Sequence, residues 1–188
     1  KDGNWHSLSD ISLSLIVPVY NGGDNFRLCL AALRALDPAP DEIIVVVDGA
    51  TDDSAEIAAS YGARIIQRPV CGGSAQARTL GAQAARGELL FFVDADVVVH
   101  VDAVAQVLTA FAEMPDLAAV FGSYDDAPAA PGFISQYRNL LHHYVHQTSY
   151  EEASTFWSGC GAIRRAGFEA LGGYNEQYDR PAIEDIAL

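Results

Sequence analysis

The stretch Glu88-Leu-Leu-Phe-Phe-Val-Asp-Ala-Asp-Val-Val-Val99 decides the fold. Its apolar run, Leu89 to Val93, reads as a buried strand, and the strand ends abruptly on two carboxylates, Asp94 and Asp96. Alternate residues at a strand end point to opposite sides, so both acids serve one site only if the chain turns there and brings them around a shared cation. Hard oxygen ligands in low number, with positions left for water and phosphate oxygens, describe Mg or Mn bound together with a phosphorylated substrate. The plainer reading is that the two acids end the strand and cap the next helix.

Outward from this strand, short apolar runs alternate with helical patterns, the signature of βα units around a largely parallel sheet. Ser12 to Val19, Glu42 to Val47, Ala63 to Gln67 and Leu117 to Gly122 are the other expected strands. Helices are expected over Asp24 to Leu36, stopped by Asp37-Pro38, and from a capping-box-like Asp53 and Glu56 to Gly62. Further helices run from Ser74 to Arg86 and from Asp102 to Glu113, and Phe133 to Tyr150 has a helical pattern. The Pro- and Ala-rich loop Asp125 to Gly132 is the only linker-like stretch. We therefore expect one α/β domain over residues 1–188, with 1–11 as an N-terminal extension.

The 188 residues are 50% hydrophobic and 19% charged, ordinary values for a globular domain with a sizeable core. A net charge of −14 repels phosphate backbones, which excludes nucleic acid as a partner and leaves an anionic substrate dependent on a metal or a local basic group. Cys29, Cys71 and Cys160 are odd in number and lack CxxC spacing, so they read as reduced thiols of a cytosolic protein. No apolar stretch is long enough to cross a bilayer, and the N-terminus lacks a signal-peptide core. The first residue is Lys1, not Met, which points to an excised piece of a longer protein.

Open α/β sheets bind ligands at the carboxyl ends of their strands. Three such ends carry polar residues here: Pro18-Val-Tyr-Asn21, Asp48-Gly-Ala-Thr-Asp52 and Asp94-Ala-Asp96. Together they describe a site rather than three separate turns. Asp48 suits hydrogen bonds from a base or ribose. Gly49 permits close backbone approach to a ligand, or simply a tight turn.

These residues resemble a family 2 glycosyltransferase of the GT-A fold, a Rossmann-like, mainly parallel sheet flanked by helices. The matching segments are Val17 to Asn21, Val47 to Asp53, Gly72-Gly-Ser-Ala-Gln-Ala-Arg78, Phe92 to Asp96, Ser158 to Arg165, Gly172 to Glu176 and Glu184-Asp185, in the family's order over nearly the whole chain. The resemblance implies a nucleotide-sugar donor site built from Pro18, Tyr20, Asn21, Asp48, Gly49, Gly73, Arg78, Asp94 and Ala95. It implies that Asp48 meets the nucleobase, that Asp96 with Asp94 holds Mn or Mg, and that Asp185, with Glu184 beside it, is the catalytic base. Asp48 is compatible with uracil, so a UDP-sugar is favoured, and the acceptor is a glycan, lipid or other hydroxyl compound, with Trp157 and Gly159 on its side. A cytoplasmic enzyme of cell-envelope polysaccharide synthesis is implied, with membrane association through parts outside this chain.

The sequence departs from the pattern in places. Val47 stands where the family often has a first acid, Asn175 where an acid is common, and the chain stops at Leu188, shortly after the base, where members continue. Other residues have two readings each. Trp157 stacks on a sugar or belongs to the core. Arg164 and Arg165 meet phosphate or form surface ion pairs. Gly72-Gly73 cradles a diphosphate, although no Walker lysine follows. His142 and His146 share a helix face as zinc ligands, or that face is solvated. Two other functions compete: a non-catalytic nucleotide-sugar-binding module, and a haloacid-dehalogenase-like phosphatase with Asp94 as nucleophile. The phosphatase pattern belongs on a first strand and needs a later lysine, whereas Lys1 is this chain's only lysine.

Overall fold

The computed structural model describes residues 11–127, 133–148 and 156–174. In chain order the elements are β1 (Leu13–Val19), α1 (Gly23–Arg34), β2 (Glu42–Asp48), α2 (Ser54–Ser60), β3 (Arg64–Arg68), α3 (Ser74–Ala84) and β4 (Leu89–Val93). Then follow α4 (Ala103–Glu113), β5 (Ala119–Phe121), α5 (Phe133–Thr148), β6 (Cys160–Arg164) and α6 (Arg165–Ala170). All six strands form one sheet in the order β3-β2-β1-β4-β6-β5. β1 to β4 pair in parallel, and β6 runs antiparallel between β4 and β5.

The central strands have no polar face because helices cover both sides. Leu13, Leu15 and Val17 of β1, Val45 and Val47 of β2 and Phe91 of β4 pack against Phe26, Leu30 and Leu33 of α1, Ile57 of α2 and Val104, Leu108 and Phe111 of α4. On the opposite face Ile16, Ile44, Val46, Leu90 and Phe92 meet the alanines of α3 and Phe168 of α6. Small residues let α3 lie close to the sheet: a Cβ at Gly81 would come 2.5 Å from Ile16 Cγ2. Phe92 is the centre of an aromatic group, with ring centroids 5.6 Å from Tyr174, 5.7 Å from Phe168 and 6.4 Å from Phe156. Among the described residues no helix is long and apolar enough to cross a membrane.

Several local expectations shift. Asp53 makes no capping bond; Asp52 caps α2 instead, accepting from the Ser54 amide at 3.1 Å and hydroxyl at 2.6 Å, while Asp53 pairs with Arg27. The expected capping box does not form because the Asp53 carboxylate is paired with Arg27 instead. β5 keeps only three residues, as an edge strand with a single partner.

Among the described residues Arg164 and Arg165 form no ion pair, and they lie at the end of the sheet away from the acid turn. The antiparallel run of β6 carries them to the end of the sheet where β4 begins. There Arg164 donates to the carbonyls of Leu117 (2.9 Å) and Pro115 (3.0 Å), and Arg165 to those of Ala85 and Arg86, both at 2.8 Å.

At that same end the fully buried Ser14 donates to Glu42 Oε1 at 2.7 Å and accepts from the Gly87 amide at 2.8 Å. Burial pushes the Glu42 carboxyl up, yet hydrogen bonds from Ser14 and the Arg86 amide, with Arg64 nearby, outweigh it and hold the group below its ordinary 4.5. A depressed folded-state pKa adds stability above the unfolded value and loses it as pH falls through the folded one. Glu42→Gln is therefore expected to cost about 1 kcal/mol at neutral pH, and the gap to the parent should close as the pH falls below 4.5. Urea unfolding at a series of pH values measures this; a gap independent of pH would contradict it.

Candidate active site

The loops that follow β1 and β2 hold one another. Asn21 adopts the left-handed conformation (φ 51°), which short amide side chains tolerate. Its Oδ1 accepts from the Thr51 amide at 2.8 Å, and the Gly22 amide donates to Ser54 Oγ at 3.2 Å. Pro18 is half-buried on β1, and Tyr20 beyond it is exposed.

Asp48 is buried at the end of β2, and its carboxylate is taken up by the protein. It accepts from the amides of Gly72 (3.0 Å) and Gly73 (2.9 Å) and from Cys71 Sγ (3.4 Å), and pairs with Arg68 Nη1 at 2.8 Å. The residue expected at the nucleobase thus anchors the β3–α3 loop, and the glycine amides pictured around a diphosphate are directed at it. Gly49 permits a close approach too, but of the chain to itself: at φ 69° its amide donates to the Arg68 carbonyl at 3.1 Å, and a Cβ there would lie 2.2 Å from the Cys71 nitrogen. Arg68 and Cys71 were not singled out in the sequence, because only the parallel pairing of β2 with β3 brings them to Asp48.

Asp94 and Asp96 share one tight turn, as a joint site requires. The Val97 amide donates to the Asp94 carbonyl at 3.0 Å, and the Asp94 amide to the Gly159 carbonyl at 2.9 Å, which fixes the turn to β6. Arg78, reaching across from α3 with only 5% of its side chain exposed, pairs with Asp94 Oδ1 at 2.6 Å beneath the Tyr174 ring. Asp94 and Ala95 are half-buried; Asp96 is exposed.

The two aspartates act on ionisable groups packed around this turn. Burial first, then Asp96 and Asp94, push the Cys29 thiol up to about 12; burial and Asp94 push Cys160 up to about 11. Burial and the same two aspartates also raise the Tyr124 phenol. Burial is the leading cause of all three shifts, and the aspartate charges add to it. Among the described residues no group of three or more His, Cys, Asp or Glu gathers as a metal cage. Two carboxylates at an open turn nonetheless suit Mg or Mn, which take one or two protein carboxylates and complete their shell with water and phosphate oxygens.

Trp157 lies against Gly159, where a Cβ would be 2.8 Å from the indole, and its ring stacks on Tyr124 at 5.4 Å. Tyr124 stacks in turn on His142 of α5 at 5.2 Å, and its carbonyl lies 2.6 Å from His143 Nδ1. His142 is thereby committed to a ring stack that docks α5 on the site; the side chain of His146 lies outside the described residues. Tyr124, overlooked in the sequence, obeys the rule used for the acids, for it follows the carboxyl end of β5. Glu184 and Asp185 lie outside the described residues.

A mainly parallel sheet with one antiparallel strand beside the strand that ends on the acid pair, helices on both faces, and polar loops gathered at the carboxyl ends is the GT-A architecture. Residues 14–172 match the family described as Glycosyl transferase family 2, and the chain belongs to it. Its relatives include the uncharacterized glycosyltransferase YibD of Escherichia coli K12, 42% identical over 89 residues, 45% of this chain and 26% of that protein. Among solved structures, the mannosyltransferase PcManGT of Pyrobaculum calidifontis, in complex with GDP-Man and Mn2+, superposes with a TM-score of 0.72 at 22% identity, covering 94% of this chain and 50% of that one. S. aureus TarS 1-349 in complex with UDP-GlcNAc gives 0.70 at 20% identity, covering 94% and 51%. The chain thus spans about a quarter of the first of these relatives and half of each solved structure.

Because Gly49 has both a left-handed φ and a backbone neighbour at 2.2 Å, Gly49→Ala should destabilise the fold by about 2–4 kcal/mol. Chemical denaturation of the variant tests this. An unchanged midpoint would mean that the β3–α3 loop moves aside without cost.

Proposed function

We propose that the chain is the donor-binding and catalytic part of an inverting, metal-dependent glycosyltransferase, acting on a nucleotide-sugar, with UDP-sugars favoured, and a hydroxyl acceptor. The observation that carries this is the Asp94–Asp96 turn in a family 2 chain: two acids at the carboxyl end of β4, one held by the buried Arg78 and the other exposed. Its solved neighbours PcManGT and TarS, bound to GDP-Man with Mn2+ and to UDP-GlcNAc, support a nucleotide-sugar as the donor class.

Asp96 and Asp94 would hold Mn or Mg. When bound, the ion supplies positive charge to the diphosphate as the bond to the sugar breaks. Arg78 orients Asp94. Tyr20, Asn21 and Thr51 stand at the strand ends that face the nucleoside. The acceptor oxygen bonds to the anomeric carbon, while the departing diphosphate oxygen keeps the electron pair of the broken bond. Asp185, placed by the family resemblance, takes the hydroxyl proton. A single displacement inverts the anomeric centre.

A panel of nucleoside diphosphates, with and without Mn, tests the donor reading by thermal shift. A ligand at about 100 times its Kd adds about 2.7 kcal/mol of stability. UDP should shift the melting temperature in Mn, and Asp96→Ala should remove the Mn-dependent part of the shift; no shift with any nucleotide would overturn the reading. In the full-length protein, Asp185→Asn should keep nucleotide and Mn affinity while turnover falls by about 10²- to 10⁴-fold, the usual contribution of a positioned base. Retained turnover would reject that role and move it to Glu184, whereas a protein that binds nucleotide-sugar with no transfer at all would be a binding module.

A further inference from the structure

We propose that Tyr174 is a positioning residue for the Asp94–Asp96 turn: its ring holds the Arg78 guanidinium, and through it the direction in which Asp94 presents its carboxylate. The inference rests on the reading of Asp94 and Asp96 as ligands of Mn or Mg. The turn itself leaves one freedom open. Its backbone is tied down, since the Asp94 amide donates to the Gly159 carbonyl at 2.9 Å and the Val97 amide to the Asp94 carbonyl at 3.0 Å. The Asp94 side chain is still 37% exposed, so its direction depends on what holds it, and Arg78 Nη2 donates to its Oδ1 at 2.6 Å.

Arginine is a poor clamp unless it is itself held, because its long side chain has many rotamers. At Arg78 only 5% of the side chain is exposed, which removes water as a competitor. The guanidinium lies over the Tyr174 ring, its Cζ 5.8 Å from the centroid, inside the range in which a cation is drawn to an aromatic face. That attraction is stronger where both partners are desolvated, and Tyr174 is 2% exposed. The ring is itself immobilised edge-on. Its centroid is 5.6 Å from that of Phe92 and 5.4 Å from that of Phe168, at interplanar angles of 78° and 64°. Phe92 belongs to β4, so the strand that ends on Asp94 also seats the ring that holds the partner of Asp94.

The local sequence builds this contact. Beyond α6 the amides of Gly172 and Gly173 donate at 3.0 Å to the carbonyls of Glu169 and Phe168, the Schellman pattern of a helix end. Both glycines have left-handed φ, 84° and 75°, which reverses the chain and returns it to the face of the sheet covered by α3. Tyr174 is the first residue after that turn. A Cβ at Gly173 would stand 3.3 Å from the Phe168 ring, so the turn is pressed against the same aromatic group. A leucine or methionine at position 174 would fill that space but has no negative ring face to offer Arg78. The ring, and not the hydroxyl, does the holding.

The test is Mn binding to the full-length protein in excess UDP, read from the electron paramagnetic resonance signal of free Mn. Tyr174→Met should weaken Mn binding about tenfold, while the thermal shift given by UDP in the absence of Mn stays as in the parent. Tyr174→Phe, which retains the ring, should restore parent Mn affinity. Phe168→Leu removes a neighbouring ring of the same group and keeps Tyr174; it should lower the melting temperature and leave Mn affinity unchanged. Where Tyr174→Met fails to fold, pentafluorophenylalanine at position 174 keeps the shape of the ring while removing its negative face, and the same loss is expected. Parent-like Mn affinity in folded Tyr174→Met, or in the fluorinated protein, overturns the proposal. An equal loss in Phe168→Leu overturns it too, since the effect would then be one of packing. Absence of Mn-dependent binding in the parent, by contrast, overturns the reading of Asp94 and Asp96 as metal ligands, and this proposal with it.

Discussion

The structure depends on the complete burial of a few central strands. β4 has parallel β1 on one side and antiparallel β6 on the other, with helices on both faces, and all five of its residues are buried. A strand in that position has nowhere to place a polar side chain except at its ends. One end is sealed by Ser14, Glu42 and the carbonyl-capping arginines. The chemistry is thereby concentrated at the other, where Asp94, Asp96, Asp48 and Asn21 meet on loops braced by a rigid sheet.

The charge arrangement follows from the same constraint. A chain of net charge −14 with eleven basic residues spends two arginines, Arg68 and Arg78, on the aspartates at the strand ends. The pair between Arg78 and Asp94 is nearly dry on the arginine side, where a buried ion pair contributes modest net stability. Its value lies in position: it points one acid and leaves Asp96 exposed. Burial, with Asp96 and Asp94 at Cys29 and with Asp94 at Cys160, raises both thiols, which pack against the core.

The two halves of the site are built differently. On the β1–β2 side the loops are locked by hydrogen bonds through Asn21, Asp48 and Ser54, and the glycines answer to close approaches of the chain to itself. On the β5–β6 side the links are ring stacks, Trp157, Tyr124 and His142 in series, over a cavity lined by aliphatic and polar side chains alike.

By itself the sequence determined the βα alternation, the strand Leu89–Val93 to the residue, and the gathering of Asn21, Asp48, Asp94 and Asp96 at one edge of the sheet. These are local properties: the length of an apolar run, the polar residue that ends it, and the rule that parallel strands of a βα sheet finish on one side. Only the tertiary structure decided what each polar group touches. It turned Asp48 toward the backbone of Gly72 and Gly73, sent Arg164 and Arg165 to the far end through the antiparallel β6, replaced Asp53 with Asp52 as the cap, and placed Tyr124 between Trp157 and His142. Those partners are separated by up to 80 positions along the chain, and no pattern of nearest neighbours encodes which distant backbone amide or ring a side chain will meet when the strands pair.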